Sequence, residues 1–195
     1  EAMKADPAPP YWHRYKVPVR EPGFNATMAF ARDRGLLIYR NGFCFPEYSS
    51  LRVANLDRWC RAYTDTDKLL IENHEDPHAC EWNGNVAVLA VNRYNPKPGV
   101  FYFAQSLFLL DPLSSNIIFM RVIDFVDGLK INLVEKNWLP FVDANKRLCI
   151  VYSINPHRIL VLEDIGSVVR LDCETKWNAP NFGVEWLSGS VPPVL

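Results

Sequence analysis

The 195-residue sequence has no apolar run approaching the roughly 18 residues that a membrane-spanning helix requires. Nor does it carry an excess of one charge: 21 basic against 22 acidic residues give a formal net charge of −1. A nucleic-acid binder shows a basic patch or stripe, so that class is set aside. None of its five cysteines (Cys44, Cys60, Cys80, Cys149 and Cys173) stands in Cys-x-x-Cys spacing, which argues against a zinc knuckle. Their odd number leaves room for one or two bridges but not for a fully paired disulfide framework. The sequence opens Glu1-Ala2-Met3-Lys4, without a basic segment followed by an apolar one, and so shows no signal peptide. With no Met at position 1, the expectation is a processed or cropped start. Long amphipathic helical periods are also missing, and no metal or organic cofactor is expected.

What is present is ordinary globular composition with strong punctuation. Hydrophobic residues make up 49% and charged residues 22%, with six Trp, fifteen Pro and nine Gly. Short runs rich in Val, Ile, Leu and aromatics alternate with turn residues, which reads as mostly β. Three segments repeat one plan: a polar start, a short mixed strand, a polar turn and an apolar strand. They are Asn25–Ala31, turn 32–35, Leu36–Arg40; Glu75–Cys80, turn 81–84, Val86–Val91; and Lys136–Val142, turn 143–146, Leu148–Ser153. Further strands are read at Ser50–Asn55, Phe101–Gln105 and Ile159–Leu162, and a fourth start at Ser188–Leu195.

The starts recur at about 50 to 60 residues, the period of β-propeller blades. The expected fold is therefore all-β, a propeller of about three blades and the start of a fourth. Residues 1–16 form an arm or linker and 17–195 the blades. A β-sandwich or irregular α+β domain is the competing reading. In a propeller the first strand of each blade lines the axis, so Asn25, Glu75 with Asp76, Lys136 with Asn137, and Ser188 with Ser190 would converge there. Acids, amides and a cation in one concavity suit a hydroxyl-rich ligand, because carboxylates accept and amides both donate and accept.

Glu75-Asp76-Pro77 followed by a Trp-containing hairpin resembles the Glu-Asp-Pro-Arg signature of the mannoside-phosphorylase-like glycosidases, family 130 of the glycoside hydrolases. Lys136–Phe141 followed by Val151–His157 resembles a matching run in uncharacterised relatives of those five-bladed propellers, and Tyr39-Arg40 also fits. The resemblance covers about residues 17 to 195. It implies cleavage or phosphorolysis of β-mannosides with inversion. Asp76 would be the proton donor; Arg40 and Arg93 would hold substrate hydroxyls or phosphate; Lys136 and His157 would contact phosphate or sugar. Asn25, Glu75 and Asn137 complete the expected substrate-binding set; no cofactor is expected, and inorganic phosphate could serve as co-substrate. Inverting transfer needs an acid on the leaving oxygen and a separately placed nucleophile, and phosphate in that role needs cations around it. Two departures stand out. His78 occupies the position of the signature Arg and cannot form its bidentate fork. Five blades also need about 250 to 300 residues at this period, so missing C-terminal blades or an oligomer would complete the ring.

Each candidate has a structural reading as well. Asp76 before Pro77 starts turns readily, and Lys136 could be a strand-edge cation. Glu75 and Asp76, adjacent on a strand, are expected to point to opposite faces. His74, Asp76 and His78 could share a strand face, but Pro77 distorts it, so a metal site is not expected. Trp82, Trp138, Trp177 and Trp186 read as core by default, and the cysteines as small core apolars. The partner expected is a carbohydrate. Two rival readings are a non-catalytic sugar-binding or assembly propeller and a glycosyltransferase-like domain of the same fold. The sequon Asn25-Ala26-Thr27 matters only in a secretory compartment, so a soluble protein of the cytoplasm or of the secretory lumen fits equally.

Overall fold

The computed structural model describes residues 23–42, 49–57, 66–97, 100–130, 137–154 and 156–175. Within them the chain is all β-structure, with no helix. Twelve strands form three antiparallel sheets of four. The first sheet holds β1 (Gly23–Ala31), β2 (Arg34–Asn41), β3 (Ser50–Leu56) and β4 (Lys68–Glu72). The second holds β5 (His74–Trp82), β6 (Asn85–Lys97), β7 (Val100–Leu110) and β8 (Ile117–Ile123). The third holds β9 (Leu139–Val142), β10 (Leu148–Ile154), β11 (His157–Leu162) and β12 (Arg170–Thr175). In every sheet the spatial order follows the chain order, a simple meander. The first strands lie side by side, β1 against β5 and β5 against β9, as first strands do in successive propeller blades.

Burial explains why the middle sheet reads as it does. Val86, Val88 and Ala90 of β6 pack with Ala29, Leu36, Ile38, Leu51 and Val53 of the first sheet. Their alternates Ala87 and Leu89 face Leu148, Ile150, Leu160 and Leu162 of the third, with Trp82 and Trp138 in the same core. A strand covered on both faces has no polar side to show, so Val86–Val91 is apolar without a break. Polar bonds then fix the stacking. Ala79 N–H donates to Thr27 Oγ1 across the first and second sheets (3.1 Å), and the Trp82 indole N–H donates to the Lys146 carbonyl across the second and third (3.0 Å). Lys68 Nζ of β4 donates to the Ser114 carbonyl and to Asn116 Oδ1, at 2.8 and 2.7 Å.

The three hairpins occur where the repeat places them, with two adjustments. The β5–β6 turn is only Asn83-Gly84, and β9 begins at Leu139, leaving Asn137 and Trp138 ahead of it. One outer strand per sheet was legible; the fourth strands β4, β8 and β12 were not. β8 is apolar along most of its length although exposed at alternate positions, whereas β12 is exposed nearly throughout and carries no apolar block. The expected fourth start, Ser188–Leu195, lies outside the described residues, as do Trp177, Trp186, Cys44 and Cys60. Trp82 and Trp138 are fully buried, and Cys149 is buried, but Cys173 is exposed on β12 and is not a core residue.

Gly35 opens β2 where its neighbours close in. A Cβ there would lie 2.6 Å from Phe30 Cε1 and 2.8 Å from Leu56 Cβ. Phe30 can swing outward, but the Leu56 Cβ is fixed to its strand. Gly35→Ala is therefore expected to destabilise the fold by about 1–3 kcal/mol, the usual cost of overpacking, as a lower urea midpoint with an unchanged slope.

Candidate functional site

All three first strands start with a backbone irregularity at the same place. Asn25, Asp76 and Asn137 have φ of 46°, 50° and 61°, in the left-handed region. Each stands seven positions before the first turn residue of its hairpin (Arg32, Asn83 and Ala144). Asn and Asp tolerate this conformation better than other non-glycine residues. In the first two sheets a register shift accompanies it: between Phe24 and Ala26 in β1, and between Glu75 and His78 in β5. A β-bulge inserts residues without a partner and re-aims their side chains.

That re-aiming assembles a cluster from two sheets. The Arg40 guanidinium at the end of β2 lies 2.9 Å from Glu75 Oε2 and 3.5 Å from Asp76 Oδ1. Asn25 Nδ2 donates to the same Asp76 oxygen at 2.5 Å. The Arg40 and Glu75 side chains are each 6% exposed and that of Asp76 is 21%, so Asp76 is the carboxyl a ligand can reach. The strict alternation expected of adjacent strand residues does not hold here. With Asp76 at positive φ inside the bulge, both carboxylates reach one guanidinium.

The start of β5 is held from behind. Ser49 Oγ donates to the His74 carbonyl at 2.7 Å, and Asn73 N–H donates to the Ser49 carbonyl at 2.8 Å. His74 is buried against Phe108, with Nδ1 2.7 Å from the Glu72 carbonyl and Nε2 3.2 Å from Ser106 Oγ. A carbonyl can only accept, so Nδ1 carries the proton and Nε2 accepts from Ser106 in a neutral ring. Its nitrogens are thus committed to structural partners. Burial holds the His74 imidazole below its ordinary range, with the Glu72 carbonyl opposing in part. Burial also lowers His78, against the opposing charge of Asp76.

The sign of the consequence follows from linkage. A histidine whose pKa is lowered by folding adds stability above its unfolded value of about 6.5, and that stability is lost as pH falls through the folded value. The unfolding free energy is expected to fall below about pH 6.5, by up to about 1.4 kcal/mol per pH unit from His74, and is read as a falling thermal midpoint. His74→Gln should flatten that acid limb; an unaltered limb would assign it to other groups.

The remaining sequence candidates are distributed as follows. Asn137 is exposed just ahead of β9, and His157 is the partly buried first residue of β11. Strand pairing puts both at the end of the third sheet where β9 starts, the end that corresponds to Asn25 and Asp76 in the other two. Among the described residues, no hydrogen bond joins either of them to Asp76. Arg93 lies on β6 just beyond Asn92, the residue opposite His74. Lys136 lies outside the described residues. Sequence reading missed that Arg40 and Asn25 belong to Asp76; the in-register repeat of polar starts placed Asn25 with Asp76, and Arg40 entered only as the residue closing the first apolar strand, without a pairing to either.

Other chemistry is less well supplied. Among the described residues, no group of three His, Cys, Asp or Glu side chains could hold a metal ion. Burial pushes the Cys80 thiol up to about 12 and that of Cys149 up to about 11, so neither is a ready thiolate nucleophile. No helix in the described residues is long and apolar enough to cross a membrane.

No family model and no curated protein matches the sequence. Among solved structures, the fold is similar to a provisionally assigned glycoside hydrolase from Parabacteroides distasonis (14% identity, TM-score 0.48, covering 76% of this chain and 49% of that one). It is also similar to a glycosyl hydrolase from Bacteroides ovatus (10%, TM-score 0.47, 77% and 49%). A thermostable family-43 glycoside hydrolase is a third (14%, TM-score 0.45, 80% and 54%). The chain spans about half the length of these structures.

Proposed function

We propose that the chain is part of a carbohydrate-active β-propeller of five blades, and that it acts on glycosides of the β-mannoside type by inversion, with Asp76 as the acid. The observation that carries this reading is the cluster at the mouth of the first strands. A partly exposed carboxyl, Asp76, is held by Asn25 and Arg40 beside a buried second carboxylate, Glu75. Glu75, at 2.9 Å, is the nearer partner of the guanidinium, while Asp76, at 3.5 Å, has the more exposed side chain. The resemblance of Glu75-Asp76-Pro77 to the family-130 signature adds to it.

In this mechanism the carboxyl proton of Asp76 passes to the glycosidic oxygen as the bond to the anomeric carbon breaks. The nucleophile, water or phosphate, attacks that carbon from the opposite face. Asn25 and Arg40 act as positioning residues, because they hold one Asp76 oxygen and thereby set the direction of the other. Asn137, His157 and Arg93 are proposed to meet the rest of the ligand from the same end of the sheets, and Lys136 is retained as a proposed ligand contact. The test is release of mannose or mannose 1-phosphate from β-1,4-mannobiose by the full chain, monitored with and without Asp76→Asn. Turnover that depends on Asp76 supports an enzyme. Saturable sugar binding without turnover would make the chain a sugar-binding module instead.

A further inference from the structure

The strands β4, β8 and β12 stand in equivalent places, at the outer end of their sheets. An unpaired strand edge is a template for another strand, and proteins guard it with charge, short length or bulges. Two of these three edges are guarded. β4 is five residues long and bears Lys68 and Glu72 at its ends. β12 bears Arg170, Asp172 and Glu174, and its first residue is bridged to Asp127. β8 has seven residues and one charge, Arg121. That guanidinium is tied back to the third sheet, where Nη1 donates to the Ser167 carbonyl at 2.7 Å. A bulge leaves Ile118 without a register partner near the start of β8, and from Phe119 to Ile123 the pairing with β7 is regular. Ile118, Met120 and Val122, in alternation, are 55%, 44% and 39% exposed. Phe108, the β7 neighbour of Met120, is fully buried in the core shared with the first sheet. The stripe continues the apolar surface of that core one strand beyond its cover.

We infer that β8 is an interface between two copies of this chain: it pairs antiparallel with β8 of a second copy across a two-fold axis at Met120, joining two four-stranded sheets into one. Charge selects this occupant. A charged partner strand finds no countercharge on the stripe, whereas β8 is complementary to itself. In this register Ile118 stands opposite Val122 of the second copy, Phe119 opposite Arg121, and Met120 opposite its own equivalent. The apolar stripes meet, and no charge faces a like charge, which would destabilise the pair. A parallel pairing in register would set Arg121 against Arg121. A two-fold contact also closes on itself, so both free edges are used and growth stops at the dimer.

Sedimentation velocity of the full chain tests this. At about 100 µM, far above a micromolar Kd, the wild-type protein is expected to run as a dimer. Met120→Lys and Val122→Lys place a charge on side chains the single copy leaves exposed, so each should fold normally and raise the Kd by about tenfold or more. Leu69→Lys, at an exposed position on β4, should leave the Kd unchanged. Circular dichroism confirms that each variant is folded. The register has its own check. Ile118→Lys and Val122→Glu should each weaken the dimer, and the double variant should recover it, because each new Lys then faces a Glu of the second copy. A wild-type monomer at that concentration, a ladder of larger assemblies, or a dimer indifferent to both Met120→Lys and Val122→Lys overturns the inference. Failure of the double variant to recover overturns the antiparallel pairing at Met120.

Discussion

Asp76→Asn is expected to lower kcat for an unactivated β-mannoside by about 10²- to 10⁴-fold, the range of a general acid's contribution. Asn keeps the shape of Asp76 and its bulge conformation, since both residues tolerate positive φ. It cannot deliver a proton to a departing oxygen. The loss should therefore depend on the leaving group. An aryl mannoside whose phenol leaves without protonation should be turned over by the variant at close to the wild-type rate, while β-1,4-mannobiose should not. KM should change little, because the Asn side chain still accepts from a sugar hydroxyl. Steady-state rates on the two substrates decide the matter. An equal loss on both would mean that Asp76 binds or positions and does not act as the acid. An unchanged rate on both would remove it from the mechanism.

Arg40→Met should cost the fold about 3–5 kcal/mol, the penalty for leaving a buried carboxylate without its partner. Arg40 and Glu75 are each almost fully enclosed, so solvent does little to screen the loss. Urea unfolding followed by circular dichroism measures it. Arg40→Lys should lose less, since it keeps the charge but not the fork that reaches two carboxylates at once. Adding Glu75→Gln to Arg40→Met should recover part of the loss, because the uncompensated charge is then removed. Simple additivity of the two changes would show that they do not interact. A loss below about 1 kcal/mol for Arg40→Met would place the pair among weak surface bridges.

Both results bear on one structural fact: the cluster is divided between sheets. Asn25 and Arg40 come from the first sheet, and Glu75 and Asp76 from the second. Substitutions that loosen the packing of β1 on β5, such as loss of the Thr27 hydroxyl that accepts from Ala79, would act on Asp76 from a distance.

The sequence by itself determined the β class, the three hairpins and the end of the sheets at which polar residues gather. These follow from local chemistry. Turn residues such as Asn83-Gly84 set hairpins, and the unbroken apolar run of Val86–Val91 announces a strand covered on both faces. The recurrence of Asn25, Asp76 and Asn137 seven residues before their turns is equally local. Only the tertiary structure decided which of these residues meet. Periodicity predicts alternation, and by alternation Glu75 and Asp76 should part. The bulge in β5 breaks that rule, and nothing in the order Glu-Asp-Pro-His announces a positive φ at Asp76. Nor does the sequence say that Arg40, 35 positions before Glu75, ends its strand within 2.9 Å of that carboxylate. That distance comes from the stacking of two sheets, which no pattern local to either segment records.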